Sequence, residues 1–588
     1  MPALLPLLNF APWTGWVVFE EFDLLLWGVA AGGYAHIALA GEVLRDASPI
    51  RRSDRAFIGM AVVFGALGVV AFVRGLALPG DHPSGWFQGY TDPLNSWRVF
   101  KSLLHAALIW PLLRREIERG AGVAVRRFAS GMLVGLSVVT LAVVWERLAY
   151  TGLWDFSTRY RTTALFWEMH VGGAAIDVYL ALATPFVAWA LWTCRSPLLW
   201  SMAAALALLT GYACLTTFSR GVYGAVVGSL VLLAVMLRWQ RLPRIRWRTL
   251  AGVVLAVALC LEVAAVLGWG SFMRERISAT DRDMGGRLRH WQNGLGLIRT
   301  PVDGAVGIGT GRLPGAYSQA VAERQFPGDV QFVPSAPGQP SGSVVVSGPK
   351  MPLHFNGLLT LTQRVALYPM LPYEVALDVR ARTAALIEVQ LCEMHLLYPR
   401  NCQSAWIRVN PDGSAWRHVV ASLRGPLLDI GRAWAPRLGV FSMAVVNAGG
   451  VVEIDNISLA GPDRLEMLVN RDFSEGLARW YPSAQGFYVP WHIDNLYLEL
   501  LIERGAFSLV AFLLCMGWAL NRLLDAAGRR RPIAPFLAAS LCGALCVGLV
   551  SSVMDVPRVA FLLLLVALLA VEVTGNTPRR DLDPEGQA

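Results

Sequence analysis

The stretch TTFSRGVYGAVVGSL, Thr216 to Leu230, sets one arginine inside a run that is apolar on both sides. A full charge at the centre of a bilayer is costly, so ionisable side chains in apolar segments face protein, a water-filled cavity or the membrane edge. Which of these applies to Arg220 depends on how the chain around it is threaded. The composition supplies the frame: 55% of the 588 residues are hydrophobic and 16% are charged, and the mean hydropathy is +0.47. Soluble domains carry about 25% charged residues, so the chain reads as a polytopic α-helical membrane protein.

Apolar runs near the length that crosses a bilayer fall at Leu24–Leu44, Ala56–Leu78, Val99–Leu113, Phe128–Val144, Ala174–Trp192, Leu198–Thr217, Val222–Leu237, Leu250–Trp269, Leu496–Leu520, Ile533–Val553 and Val559–Val573. This predicts about eleven transmembrane helices. Met1 to Phe19 adds a twelfth or lies at the interface; it is apolar but lacks the basic start of a cleavable signal peptide. Every second loop is basic. Arg45, Arg51, Arg52 and Arg55 follow the first run, Arg114 to Arg127 the third, Arg195 the fifth, Arg238 to Arg248 the seventh and Arg522 to Arg531 the ninth, and Arg579 and Arg580 close the chain. By the positive-inside rule these loops are cytoplasmic. The net charge of +9 is thereby explained without nucleic acid as a partner.

The remaining loops face outward: Gly80–Arg98, Tyr150–Gly173, the turn at Ser219–Gly221, the long Gly270–Trp491 segment and the turn at Asp555–Arg558. Arg220 is therefore expected at the outer mouth of two helices. The resulting division is a transmembrane bundle over 1–269, a periplasmic loop over 270–330, a β-sandwich insert over 351–462, a return segment over 463–495, C-terminal transmembrane helices over 496–576 and a cytoplasmic tail over 577–588. The insert follows a linker rich in Pro, Gly and Ser. Its strands show in YEVALDVRA, where Tyr373, Val375, Leu377 and Val379 alternate with polar residues, and in LIEVQLCEM, where Ile387, Val389 and Leu391 do the same. Cys392 and Cys402 lie there, and in an oxidising compartment they can pair or stay free. Of the insert's tryptophans, Trp406, Trp416, Trp434 and Trp480 can stack on sugar rings, but core packing is the expected role for most. The other cysteines sit in apolar runs without metal-ligand spacing.

Polar residues gather on the outward side. Arg159, Arg161, Glu168, His170 and Asp177 surround the start of the fifth run, and Ser219–Arg220–Gly221 follows the sixth. GGRLRHWQNGLGLIRTPVDGAVGIGTG follows the eighth and carries Arg287, Arg289 and Trp291. Before the ninth comes WHIDNLYLELLIERG, where His492, Asn495, Glu499 and Glu503 share one helical face. The D-x-D of Asp281–Asp283 mimics a metal-binding motif, but the outer side has no expected nucleotide-sugar supply, so it reads as a polar loop.

Taken in order, these segments resemble the O-antigen ligase and polymerase superfamily of bacterial envelope glycosyltransferases. The SRG turn is similar to that family's outer-face arginine motif, and R-L-R-H-W with the following Pro and GIGTG to its R-x3-W segment. HIDNLYLELLIERG is similar to its H-x2-N-x2-L entry into a late helix; RTTALFWEMHVGGAAIDVYL is a looser match, because many members carry an asparagine there. The resemblance implies a GT-C-like enzyme of the bacterial inner membrane with its site facing the periplasm. It would move a glycan from an undecaprenyl-diphosphate carrier to an acceptor hydroxyl, with inversion and without a metal. The acceptor, whether growing glycan, lipid A core or protein, stays open, and so does the choice between polymerase and ligase.

The family's arginines and histidine carry over to Arg220, Arg287 and His492 as catalytic residues. Arg161, Arg289, Trp291, Asn495 and Glu503 carry over as binding residues for the diphosphate or glycan. Guanidinium groups suit a leaving diphosphate, and an imidazole suits an attacking hydroxyl. The β-rich insert departs from simpler members and is expected to act as a carbohydrate-binding module. Two other readings predict the same outward charges: a flippase for the same lipid, and a non-catalytic polysaccharide-binding scaffold. A transporter would be expected to show repeated halves, and the sequence has no internal repeat.

Overall fold

The computed structural model describes residues 1–10, 18–40, 52–76, 93–166, 174–238, 246–278, 280–320, 328–334, 342–349, 358–369, 372–395, 398–411, 415–461, 464–483, 492–529 and 531–575. The first apolar runs fold as α1 (Glu21–Leu39), α2 (Arg52–Leu76), α3 (Asn95–Tyr150), α4 (Ala174–Thr193), α5 (Pro197–Thr216), α6 (Arg220–Leu237) and α7 (Arg246–Trp269). Short helices α8 (Ser271–Ser278), α9 (Thr280–Leu295), α10 (Pro301–Val306) and α11 (Leu313–Ala320) lead to the β-rich insert. After it come α12 (Leu496–Gly528), α13 (Ala534–Val547) and α14 (Pro557–Gly575). Among the described residues, nine of these helices are long and apolar enough to cross a membrane; α13 is apolar but shorter.

The 56-residue α3 carries two of the expected runs. Straight, it would extend about 84 Å, but helical geometry fails at Gly120. Both ends then reach the side that bears the insert. Asn95 and Arg98 meet Gly311 and Asp555, while Glu146 at the other end holds Thr163 and Ala164. The run is thus a helical hairpin whose reversal lies among Arg114, Arg119 and Arg127, as the charge pattern requires. Met1–Phe19 forms no spanning helix within its described part: Leu5–Leu7 is one 3-10 turn, with the buried Leu5 under α3.

α13 and α14 occupy the centre of the bundle, where Phe536, Leu537, Ala538 and Ala539 are fully buried. Small side chains allow close approach without lipid between helices, and Gly543 rests on Ala181 of α4 and Ser229 of α6. By contrast α7 exposes Leu250, Val253, Val254, Val257 and Leu261, a lipid-facing surface. The expected run Ile533–Val553 is cut short, because helix α13 ends at Val547. Of the nine residues that follow, Gly548, Leu549, Val550 and Asp555 spend their carbonyls on the functional face.

The insert consists of two five-stranded antiparallel sheets and a small hairpin. The strands are β1 (Asp329–Pro334), β2 (Gly342–Ser347), β3 (Thr360–Val365), β4 (Glu374–Ala381), β5 (Ala385–His395), β6 (Tyr398–Val409), β7 (Arg417–Ser422), β8 (Gly431–Arg432), β9 (Ala435–Pro436), β10 (Leu438–Val445), β11 (Val451–Ala460) and β12 (Tyr481–Ser483). One sheet has the order β1-β2-β11-β4-β7 and the other β12-β3-β10-β5-β6. The period-two reading holds: Tyr373, Val375, Leu377, Val379, Ile387, Val389 and Leu391 all point into the core.

The sheets extend beyond the expected 351–462 at both ends. Val330, Val344 and Val346 from the stretch expected to be a linker enter the core, since an apolar triplet between glycines is enough for a strand. Asn470–Trp480, within the expected return segment, is a chain of turns in which Asn470 donates to the carbonyls of Gly476 and Ala478 while Phe473 and Trp480 plug the core. The tryptophan expectation needs correction. Trp480 is buried, but Trp406, Trp416 and Trp434 are 55%, 42% and 52% exposed. For Trp406 the reason is register, because it alternates with the buried Ala405 and Ile407. Cys392 and Cys402 form a disulfide across the β5–β6 hairpin.

Candidate active site

The functional face is assembled around the loop between α13 and α14. The Leu496 N–H donates to Gly548 O at 2.8 Å, and the Asn495 amide donates to Leu549 O at 2.9 Å. Arg287 Nη1 donates to Val550 O at 2.7 Å, and the Ser552 hydroxyl donates to Glu499 at 2.8 Å. Asp555 takes an ion pair from Arg98. Gly221 of the SRG turn lies against Val550, where a Cβ would stand 2.8 Å from the valine side chain. The arginine turn, Arg287 and the helix-entry segment therefore meet on one nine-residue loop.

His492 is buried in this assembly. Its Nε2 lies 3.8 Å from Asp494 and its Nδ1 lies 3.6 Å from Asp555. Asp494 in turn pairs with Arg287 at 3.0 Å. Burial pushes the imidazole down to about 4, and the nearby Arg98 and Arg287 add to that against the upward pull of Asp555. A histidine so placed is neutral near pH 7 and able to accept a proton. Its backbone is fixed as well. His290 Nε2 lies 3.2 Å from the His492 carbonyl, and since a carbonyl only accepts, that nitrogen carries the ring proton. Burial also lowers the pKa of His290.

Arg220 is the first residue of α6, half-buried at the helix mouth, with Nη1 on the Arg276 carbonyl at 2.9 Å. Its neighbour Ser219 donates to the buried Asp177 at 2.6 Å. Arg161 Nε donates to Thr217 O at 2.9 Å, on the same turn. Arg161, Arg276 and Asp494 all lie close enough to bear on Asp177 electrostatically, so the SRG cluster and the Arg287–Asp494–His492 cluster adjoin.

The other sequence-derived residues find different places. Asn495 caps α12, its side chain accepting from the Tyr497 and Leu498 N–H groups. Glu503 accepts from the Gly311 and Leu313 N–H groups. Trp291 packs beside Leu297, Tyr317 and Ile493, and Arg289 is exposed on α9. Arg159 pairs with Glu275 at the surface. Glu168 and His170 lie outside the described residues. Asp281–Asp283, expected in a loop, lie in the first turn of α9.

The Gly-rich GIGTG segment is a cradle for backbone. At Gly309, with φ +118°, a Cβ would stand 2.7 Å from Gly75 N; at Gly307, with φ +82°, it would stand 2.2 Å from Glu503 O. Only glycine fits between α2 and the break of α12 at Gly505. Sequence reasoning missed Arg98, Asp494, Asp555, Arg276 and His290. Asp494 sits inside the H-x-D-N stretch and Asp555 in a turn already placed outward, so both were in view; their partners become visible only in three dimensions.

No curated protein and no solved structure matches the chain. Residues 204–336 match the family model described as O-antigen ligase. The matched segment holds Arg220, Arg287 and the GIGTG loop, and His492 lies beyond it. It bears out the resemblance read from the sequence, to the O-antigen ligase and polymerase superfamily of membrane glycosyltransferase-like enzymes.

Proposed function

We propose that this chain transfers a glycan from an undecaprenyl-diphosphate-linked donor to an acceptor hydroxyl at the periplasmic face of the bacterial inner membrane, with inversion and without a metal. The observation that carries the reading is that the SRG turn of Arg220 (through Gly221), Arg287 itself and His492 (through Asp555) all meet on the loop between α13 and α14. These residues come from α6, α9 and the approach to α12, far apart in sequence. The family match is consistent with it, and the reading includes a GT-C-like architecture.

In this reading the acceptor oxygen attacks the anomeric carbon from the face opposite the diphosphate. The new C–O bond forms as the anomeric carbon–phosphate oxygen bond breaks. The hydroxyl proton passes to neutral His492, and the bonding electron pair leaves with the diphosphate. That group gains charge as it departs, and Arg220 and Arg287 meet it with preorganised cations, commonly a large catalytic contribution. Arg161 adds a third cation from the neighbouring turn. Asp494 orients Arg287 toward His492, and Asp555 with Arg98 sets the imidazole. Asn495 and Glu503 serve by holding α12 and the GIGTG loop in register, while Arg289 and Trp291 border the acceptor side. The insert holds the glycan, and the exposed Trp406, Trp416 and Trp434 offer the stacking faces.

The test is turnover of a lipid-linked glycan by the full chain in lipid nanodiscs. The reading expects release of undecaprenyl diphosphate and a product of inverted anomeric configuration, unaffected by EDTA. Transport of the intact lipid without release of the diphosphate would overturn it.

A further inference from the structure

The insert touches the membrane bundle at a specific point. The Arg161 N–H donates to the Tyr398 hydroxyl oxygen at 2.7 Å, and the same hydroxyl donates to the Arg161 carbonyl at 3.0 Å. One phenol thus spends both its donor and its acceptor on one residue. The Tyr398 ring stacks on Tyr160, with centroids 4.2 Å apart and planes inclined by 30°. Tyr398 opens β6, opposite His395 of β5, and the Cys392–Cys402 disulfide staples the same hairpin a few residues away. Two further contacts bring the insert to the end of α3: Trp145 Nε1 donates to Trp434 O at 2.8 Å, and the Arg437 guanidinium lies 5.0 Å over the Tyr150 ring.

The segment that Tyr398 grips is held on its other side too. Tyr160 donates to the buried Glu146 carboxylate at 2.8 Å, which also accepts from the Thr163 and Ala164 N–H groups. Thr162 N–H bonds to Thr216 O, and Arg161 Nε to Thr217 O. The Arg161 main chain is therefore held from two directions, by the bundle through Glu146 and Thr216 around it and by the insert through Tyr398, while its guanidinium is anchored through Nε on Thr217 O.

We infer that the β-rich insert is a working wall of the donor site, in which Tyr398 at the tip of the stapled β5–β6 hairpin is a positioning residue that holds Arg161 toward the lipid diphosphate. This rests on the donor reading of Arg161 above. It gives the insert a second role beside any glycan it holds, and it couples donor binding to how the insert is seated. Burial raises the Tyr398 pKa, which keeps the phenol neutral and able to donate and accept at once.

The experiment is a double-mutant cycle with the full chain in nanodiscs, reading the Kd for undecaprenyl diphosphate itself and the thermal midpoint of each variant. Tyr398→Phe keeps the stacked ring and removes both hydrogen bonds. We expect it to weaken binding about tenfold with only a small fall in thermal midpoint, and to have no further effect on binding once Arg161→Ala is present. Additive losses, or wild-type binding by Tyr398→Phe alongside weak binding by Arg161→Ala, would overturn the inference and leave the donor site standing. Wild-type binding by Arg161→Ala would remove Arg161 from the donor site, and the inference with it.

Discussion

Arg287→Gln is the substitution whose cost can be worked out most directly. The glutamine keeps a polar amide but is shorter and removes the charge. In the structure Nη1 is engaged by Val550 O and the Asp494 carboxylate, and the proposed function assigns the Nε and Nη2 edge to the diphosphate. Two charge-assisted hydrogen bonds from that edge to a diphosphate are worth about 1.5–3 kcal/mol each. The loss of both, about 3–6 kcal/mol, corresponds to about 10²–10⁴-fold in turnover. The side chain is partly exposed, so folding should be little affected. Turnover of lipid-linked glycan in native membranes, at matched protein abundance, is the assay. Activity within threefold of the parent would refute the assignment of Arg287 to the leaving group.

The low pKa of His492 predicts that the acid limb of the turnover profile lies well below the ordinary histidine value of about 6.5, with His492→Ala inactive throughout. Asp555 pulls that pKa up, so Asp555→Asn should move the limb to still lower pH and slow turnover; a shift to higher pH would contradict the arrangement. Glu503→Gln weakens the hold on two buried N–H groups and should lower unfolding stability by about 1–3 kcal/mol, read as a reduced thermal midpoint. Breaking the Cys392–Cys402 bridge by Cys402→Ser reopens a ten-residue separation and should destabilise the insert by about 2–3 kcal/mol, read by hydrogen exchange in β5 and β6.

The helical bundle was legible because the apolar runs reach the length that crosses a bilayer, and the arginines of alternate loops mark where consecutive runs turn. The α3 hairpin illustrates this, since its reversal at Gly120 falls among the basic residues that mark that end. The inward faces of β4 and β5 were legible for a similar reason, because burial alternates with strand period. What stayed hidden depends on tertiary contact. The loop after α13 reads as apolar sequence, yet its value lies in backbone carbonyls, which carry no side-chain signature. GIGTG shows in the sequence only as a Gly-rich end to the R-x3-W segment, and its glycines serve helix contact. Glu146 looks like a stray acid in an apolar run until it is seen capping the Thr163–Ala164 turn. Tyr398 gave no signal at all, since its partner is the main chain of a residue more than two hundred positions away.

The central claim is that Arg220, Arg287 and His492 form one donor site. An experimental structure of the full chain with undecaprenyl diphosphate bound tests it most directly. The account predicts phosphate oxygens within hydrogen-bonding distance of both guanidinium groups, with the His492 imidazole facing the position the sugar has left. Diphosphate bound elsewhere on the bundle, with Arg220 and Arg287 both out of reach of it, would contradict the account.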